Sequence, residues 1–478
     1  MMDWALLGTI LYISGEWAIR ILMLLVVTRR RRPVVAMAWL LIIFFQPFVG
    51  LGLYVLFGRN RLPRRRIERH ERLLKELRAL EDRFNGDEAA TSPLLGPECK
   101  AAITLAQRLG YMPIVGGNAV EIMTDSSDVV HRIVDDIDRA KHHVHLLFYI
   151  FADDETAQRV AQALGRAVKR GVECRVLVDA VGTRPWRRGV RRLFSEAGVD
   201  WHFALPVNPF RMLLRRLDLR NHRKIVVIDG RTAYTGSQNI VDEGYGHRDL
   251  AWRDVMVRLE GPIVDQLQVV FIQDWYFETK ELLEDPALFP KPNRAGAVPI
   301  QTLPSGPSYA TENYQRMVVA AVHAAQNEVI ITTPYFVPDE VLLQAIEVAE
   351  LRGVEVKIIV PERSDQIIVG AASHAYYENL LNLGVDVYLF QDGLLHAKTV
   401  SVDDSMTFLG TANLDVRSFA LNFEVNLVFY GAQETAILRA VQSEYMAKSR
   451  LLSAEEWAKR GRATRLFQDV AKLFSPVL

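Results

Sequence analysis

The chain has 478 residues, enough for two or three domains, and its 57 Lys and Arg balance its 57 Asp and Glu. Balanced charge gives no general basic surface of the kind that nucleic-acid partners need, so no nucleic acid is expected. Cys99 and Cys174 are the only cysteines, which excludes a disulfide framework and a zinc-ligand cluster.

The N-terminus, residues 1–60, reads as membrane segments. Val34 to Phe57 is 24 residues without a charge, and as one helix it would reach roughly 36 Å, enough to cross the hydrocarbon of a bilayer. Trp4 to Val27 is also apolar but carries Glu16 and Arg20, four apart and able to pair on a helix. It is expected to be a second spanning or interfacial helix. Asp3 stands where a cleaved signal peptide would have a basic region. Arg29 to Arg32 precede the charge-free segment, and Arg59, Arg61, Arg64, Arg65, Arg66 and Arg69 follow it. A simple hairpin would put these basic runs on opposite faces. A re-entrant second segment, broken near Pro47, Gly50 and Gly52, would keep both cytoplasmic, together with the region that follows.

Residues 61–99 form a charged linker, with a helical stretch over Arg64 to Phe84 whose basic residues suit an anionic membrane surface. Two α/β units follow, 100–284 and 308–450, separated by a Pro-rich linker at 285–307. Val144 to Gly182, with FADDE and then RGVECRVLVDAVG, parallels Val329 to Ser364, with FVPDE and then RGVEVKIIVPERS. Each unit reads strand, helix, strand, a Gly-Val-Asp turn and then a polar motif, a duplicated α/β pattern. His142, His143 and His145 are expected to be structural or surface residues. The first unit carries an insertion in which Phe210, Met212, Leu213, Leu214 and Leu217 alternate with Arg211, Arg215, Arg216 and Arg220. It reads either as core packing or as an interfacial lip. In the last segment, 451–478, Leu466, Phe467, Val470, Leu473 and Phe474 recur at helical spacing among Arg462, Arg465 and Lys472. Docking of that apolar stripe on the protein is the plainer expectation, and membrane contact the alternative.

The polar motif occurs twice, 174 positions apart, as HxKx4Dx6G[ST]xN: His222, Lys224, Asp229, Ser237 and Asn239, then His396, Lys398, Asp403, Thr411 and Asn413. In both copies the run after the Lys is rich in β-branched residues and reads as a strand, so His and Lys share one face. The Gly before Ser237 or Thr411 allows a tight turn that brings the Asn amide alongside. Such a set suits a phosphodiester. An imidazole serves as nucleophile or, once protonated, as acid, while Lys and Asn donate to the non-bridging oxygens, with no metal and no cofactor required.

On these motifs the sequence resembles the phospholipase D superfamily, whose paired HxKx4D motifs meet across a pseudo-two-fold axis. Within it the chain is similar to the bacterial cardiolipin synthases, through RNHRKIVVIDG, TGSQNI, WRD and the N-terminal AMAWLLIIFFQPFVGLGLYVLFG. The resemblance implies an α/β fold of two tandem repeats around one catalytic core, preceded by membrane helices, in a bacterial inner membrane. It implies phosphatidylglycerol as substrate and cardiolipin as product, through a phosphatidyl-histidine. His222 is read as nucleophile and His396 as acid and base, although the symmetry of the motifs hides which is which. Lys224, Lys398, Asn239 and Asn413 would clamp the phosphoryl oxygens, assisted by Ser237 and Thr411. Alignment of the repeat ends through Gly261 and Gly431 matches Asp254 to Glu424 as the carboxylates that orient the imidazoles. Asp229 and Asp403, at the far end of each motif, hold it in place. A homo-oligomer is compatible with all of this. The rival readings are a phospholipase D using water, a nuclease, and a lipid-binding scaffold. Against the last, no motif residue is lost.

Overall fold

The computed structural model describes residues 4–30, 33–58, 91, 93, 95–109, 112–206, 219–246, 250–291, 293–309 and 311–475. The chain divides into two units, 1–63 with 207–219, and the remainder. The basic stretch 64–84 and the insertion residues 210–217 lie outside the described residues.

In the first unit the earlier of the two apolar segments is the long unbroken helix. Trp4–Arg30 is one unbroken 27-residue helix, about 40 Å long, and it alone among the described helices is long and apolar enough to cross a membrane. Arg20 pairs with Glu16 within it at 3.1 Å, which offsets the cost of two charges on an apolar helix. Val34 to Phe57, read either as one span or as a re-entrant segment broken near Pro47, is two helices, Pro33–Phe45 and Pro47–Phe57. The rings of Trp39 and Tyr54 meet with centroids 5.2 Å apart, whereas on one straight helix their residues would be roughly 22 Å apart. Pro47 supplies the break, since it lacks an N–H and clashes with the preceding turn. Gly50 allows the close fold-back, because a Cβ there would lie 2.7 Å from the Ile43 Cα.

The second unit is built on fourteen principal strands. The first repeat holds β1 (Val115–Met123), β2 (His143–Phe148), β3 (Glu173–Asp179), β4 (Asp200–Ala204), β5 (Ile225–Ile228), β6 (Thr232–Gly236) and β7 (Met256–Glu260). The second holds β8 (Val298–Ser305), β9 (Glu328–Thr332), β10 (Glu355–Pro361), β11 (Asp386–Phe390), β12 (Thr399–Val402), β13 (Met406–Gly410) and β14 (Asn422–Tyr430). They join one sheet in the order β4-β3-β2-β5-β6-β7-β1-β8-β14-β13-β12-β9-β10-β11. Read outward from the β1–β8 junction, the two halves are the same sequence of strands. The junction is antiparallel, with Val115 opposite Ile300, so a pseudo-two-fold axis passes through it.

Helices fall at matching places in both halves, and the repeated DE of FADDE and FVPDE has a local reason. Asp154 and Asp339 are N-caps whose carboxylates accept the Ala157 and Leu342 N–H groups at 3.0 Å. Two helices, Ile263–Thr279 and Ala432–Ala447, bury residues in a core layer shared by both repeats, where Ile225, Leu267 and Trp275 lie in one cluster with Leu409, Leu427 and Leu438. Each repeat also has a core of its own on the opposite face.

Two boundaries differ from the sequence reading. Helix Lys100–Leu109, expected to begin the first repeat, buries Ala102 and Ala106 in the core of the second, beside Leu303 and Tyr314. The Pro-rich stretch is linker only in part, because β8 occupies Val298–Ser305 at the centre of the sheet, with Pro304 opposite Val425. Proline counts argued against a strand there, and burial on the β14 side outweighed them.

The last residue of each HxKx4D motif anchors this sheet. Asp229 and Asp403 sit in the left-handed region, φ 53° and 46°, which Asp tolerates better than most residues. Asp229 accepts the N–H groups of Lys141, His142 and His143 at 2.8 to 3.0 Å. Asp403 accepts those of Gln326, Asn327 and Glu328 at 2.8 to 2.9 Å. Each ties a hairpin to the start of the neighbouring strand. Asp229→Ala is therefore expected to cost about 2–3 kcal/mol of stability, and Asp229→Asn less, with a lowered thermal unfolding midpoint of the full chain in detergent as the readout.

Candidate active site

Two short parallel ladders bring the motifs together. Arg220–Asn221, just before the first motif, pairs with Asn422–Phe423 at the start of β14. Trp252–Arg253 pairs with Leu394–Leu395, just before the second motif. One residue beyond each ladder, the backbone N–H of His222 donates to Phe423 O at 2.9 Å, and that of His396 to Arg253 O at 2.8 Å. The next residues on the partner strands are Glu424 and Asp254. Each imidazole thus meets a carboxylate from the other repeat. His222 Nδ1 lies 3.1 Å from Glu424 Oε2, and His396 Nδ1 lies 2.7 Å from Asp254 Oδ1.

The partners fix the tautomers. His222 Nδ1 also lies 3.1 Å from Thr411 O; a carbonyl and a carboxylate can only accept, so Nδ1 carries the proton and Nε2 the lone pair. His396 has the same arrangement through Asp254.

Burial pushes the pKa of His222 down to about 4, against the attraction of Glu424, and lowers that of His396, helped by Lys398. Burial opposes ionisation of Asp254, but His396 and Lys398 outweigh it and hold this carboxyl at about 2. Glu424 is also lowered, His222 overcoming burial.

The lysines complete the set. Lys224 Nζ donates to His222 O at 2.8 Å, and Lys398 Nζ likewise to His396 O. Burial lowers Lys224 to about 8 and Lys398 well below the usual value. Two ammonium groups buried beside two carboxylates offer an anion preorganised donors in a set that is itself balanced in charge.

Not every expected phosphate ligand faces outward in this way. Ser237 and Thr411 are fully buried. The Thr411 hydroxyl donates to Glu424 and accepts Val425 N–H. The Ser237 hydroxyl accepts Val255 N–H at 2.9 Å, donates to Val255 O at 3.3 Å and helps hold the Asp254 carboxyl down. Their place in the turn sets them beside the orienting carboxylates rather than at a phosphate. Asn239 uses its carbonyl on Ile150 N–H at 3.0 Å, which leaves its amide donors to the site. Asn413 commits one donor to the buried Asp415 at 3.1 Å. Asp229 and Asp403 are not brought here; a four-residue strand, roughly 13 Å, separates each from its Lys.

Several neighbours escaped the sequence reading. Arg223, the x of the first HxK, is buried, pairs with Asp274 at 2.8 Å and donates to Glu424 O at 3.1 Å. Its counterpart Ala397 cannot do so, and that mismatch between the motifs was the signal available. The ring of Trp252 stands 5.0 Å from His396 at 82°, and that of Tyr149 4.8 Å from His222. Among the described residues no His, Cys, Asp and Glu cluster suits a metal ion.

Residues 133–275 and 318–445 match the family described as cardiolipin synthase, PLD-like domain, and residues 18–59 match the one described as phospholipase D-nuclease N-terminal. Cardiolipin synthase A of Yersinia pseudotuberculosis serotype O:1b is 41% identical over 459 residues, covering 93% of each chain, and that of Yersinia pestis is equally similar. The crystal structure of phosphatidylserine synthase from Haemophilus influenzae has the same fold, with a TM-score of 0.59 at 18% identity over 80% of this chain and all of that one.

Two outcomes follow from the geometry. Lys224 is cationic below its pKa and neutral above it, so kcat/KM for an anionic phosphodiester is expected to fall as pH rises through about 8. Lys224→Arg should move that alkaline limb upward. Glu424→Gln would set an amide N–H against Nδ1–H and favour the wrong tautomer, lowering kcat by roughly 10²–10⁴-fold, measured in the same assay.

Proposed function

The chain belongs to the phospholipase D-like cardiolipin synthases, and on that premise we propose that it joins two phosphatidylglycerol molecules into cardiolipin and glycerol by phosphatidyl transfer through His222. The observation that carries this reading is the pair of imidazoles in one site, each with Nδ1–H held by a carboxylate of the opposite repeat, so that Nε2 is the reactive nitrogen of both.

In the first step His222 Nε2 attacks phosphorus of the donor, the bond from phosphorus to the glycerol oxygen breaks, and protonated His396 gives its proton to that oxygen. Burial lowers the pKa of His396, and the negative charge of the donor favours its protonation. Lys224, Lys398 and the Asn239 and Asn413 amides stabilise the charge on the non-bridging oxygens. In the second step neutral His396 takes the proton of a headgroup hydroxyl on another phosphatidylglycerol. That oxygen attacks phosphorus, the phosphorus–nitrogen bond breaks, and His222 is regenerated. One phosphodiester replaces another, so the reaction is reversible and removal of glycerol draws it forward.

Asymmetry supports His222 as nucleophile: Arg223 fixes the backbone that carries its carboxylate, and Ala397 stands at the matching place beside His396. Asp229, Asp403, Ser237 and Thr411 act in this reading as positioning residues. The apolar N-terminal helix accords with membrane association. We place the catalytic unit on the cytoplasmic face of a bacterial inner membrane, on the strength of the basic residues from Arg59 to Arg69.

Full-length protein with labelled phosphatidylglycerol is expected to release glycerol and form cardiolipin, and added glycerol to reverse it; phosphatidic acid as the main product would make the protein a hydrolase. The nitrophenyl ester of phosphatidic acid, whose leaving group needs no acid, separates the histidines. His396→Ala should give a stoichiometric burst of nitrophenol and a phosphatidyl group on His222, and His222→Ala none. The reverse pattern would exchange the two roles.

A further inference from the structure

The C-terminal helix does not dock through its apolar stripe. Helix Arg462–Lys472 packs against helix Ile367–Leu383 with Gln468, Ala471 and the following Ser475, all buried. Tyr376 and Ser475 share a hydrogen bond at 3.2 Å, and Lys472 Nζ stands 4.4 Å from the Tyr376 ring centroid. The stripe expected to dock points the other way: Leu466, Phe467, Val470, Leu473 and Phe474 are 44% to 77% exposed. At 100° per residue these five fall within about 120° of one face, and Arg462, Arg465 and Lys472 follow along one border. Two large aliphatic side chains on the first turn of the supporting helix, Ile367 and Ile368, are exposed as well.

We propose that this face is a bilayer-docking surface for anionic phospholipid, which seats the catalytic unit on the membrane that supplies its substrates. The identity of the lipid rests on the reading under Proposed function.

Charge argues for this occupant over a second copy of the chain. Along the helix, Arg462, Arg465 and Lys472 stand against the single acid Asp469, in a chain with no net charge, while the preceding Lys459 and Arg460 are already paired with Glu455 and Glu378. Two copies meeting through this face would bring like charges together, whereas anionic headgroups beside inserted Leu and Phe match both parts of it. The supporting helix also ties the face to the site. Its Ser373 hydroxyl accepts the Phe336 N–H at 3.3 Å, and Phe336–Val337 pairs with Leu414–Asp415, directly after Asn413.

The test uses the full chain in liposomes, labelled through Val470→Cys with an environment-sensitive fluorophore; Cys99 and Cys174 are buried. Lys169→Cys, on an exposed position of the first repeat, is the control label. Quenching by bromine-labelled acyl chains is expected at position 470, beyond that of the control, in phosphatidylglycerol vesicles. It should fall severalfold when phosphatidylcholine replaces the anionic lipid. Quenching no greater than the control would overturn the proposal, as would a blue shift without quenching that grows with protein density, which would identify a second copy. Quenching needs no turnover, so it can fail or succeed independently of the assigned reaction. As a second readout, Leu466→Ser with Leu473→Ser should raise the KM for lipid in mixed micelles by about fivefold or more and leave kcat at saturation unchanged. An unchanged KM would count against the docking role.

Discussion

The crossed pairing of each imidazole with a carboxylate from the other repeat is the constraint on which the site depends. Neither repeat contains a complete half-site, since His222 needs Glu424 and His396 needs Asp254. The pairing follows from the two-residue ladders before each motif, which bring backbone segments of opposite repeats into parallel register. A strand alternates its side chains with period two, so a slip of one residue in either ladder would turn the carboxylate away from its histidine. The continuous sheet across the β1–β8 junction and the core layer shared by both repeats hold that register.

Burial then gives the site its chemistry. Taking two imidazoles and two ammonium groups out of water lowers all four pKa values, while the two carboxylates remain ionised because His396 and Lys398 lie beside Asp254, and His222 and Lys224 beside Glu424. The histidines are therefore neutral and poised for nucleophilic attack, and an arriving phosphodiester shifts the balance toward protonation where an acid is needed. Ser237 and Thr411 contribute by fixing the carboxylates, so the hydroxyl and the amide of one GSxN-type turn have separate tasks.

The two halves are alike in topology and unlike in detail. Arg223 with Asp274 braces the His222 side, where Ala397 stands on the other, and Trp252 rather than Tyr149 faces His396. A symmetric frame with asymmetric fittings suits the proposed reaction, in which one histidine carries the phosphatidyl group and the other only moves protons.

The duplicated α/β pattern, the two motifs and the pair Asp254 and Glu424 are legible in the sequence, because strand periodicity and comparison of the repeat ends need no knowledge of how the repeats pack. Tertiary structure alone decided which carboxylate serves which histidine, since that depends on pairing between segments about 140 and 200 residues apart. It placed helix Lys100–Leu109 in the second repeat and β8 within the Pro-rich stretch, where long-range burial outweighs local propensity. It chose between the straight and the broken form of the charge-free N-terminal segment, folding it back at Pro47, and turned the C-terminal apolar stripe outward. Helical periodicity fixes which residues share a face, and only the neighbours available in space decide which face is covered.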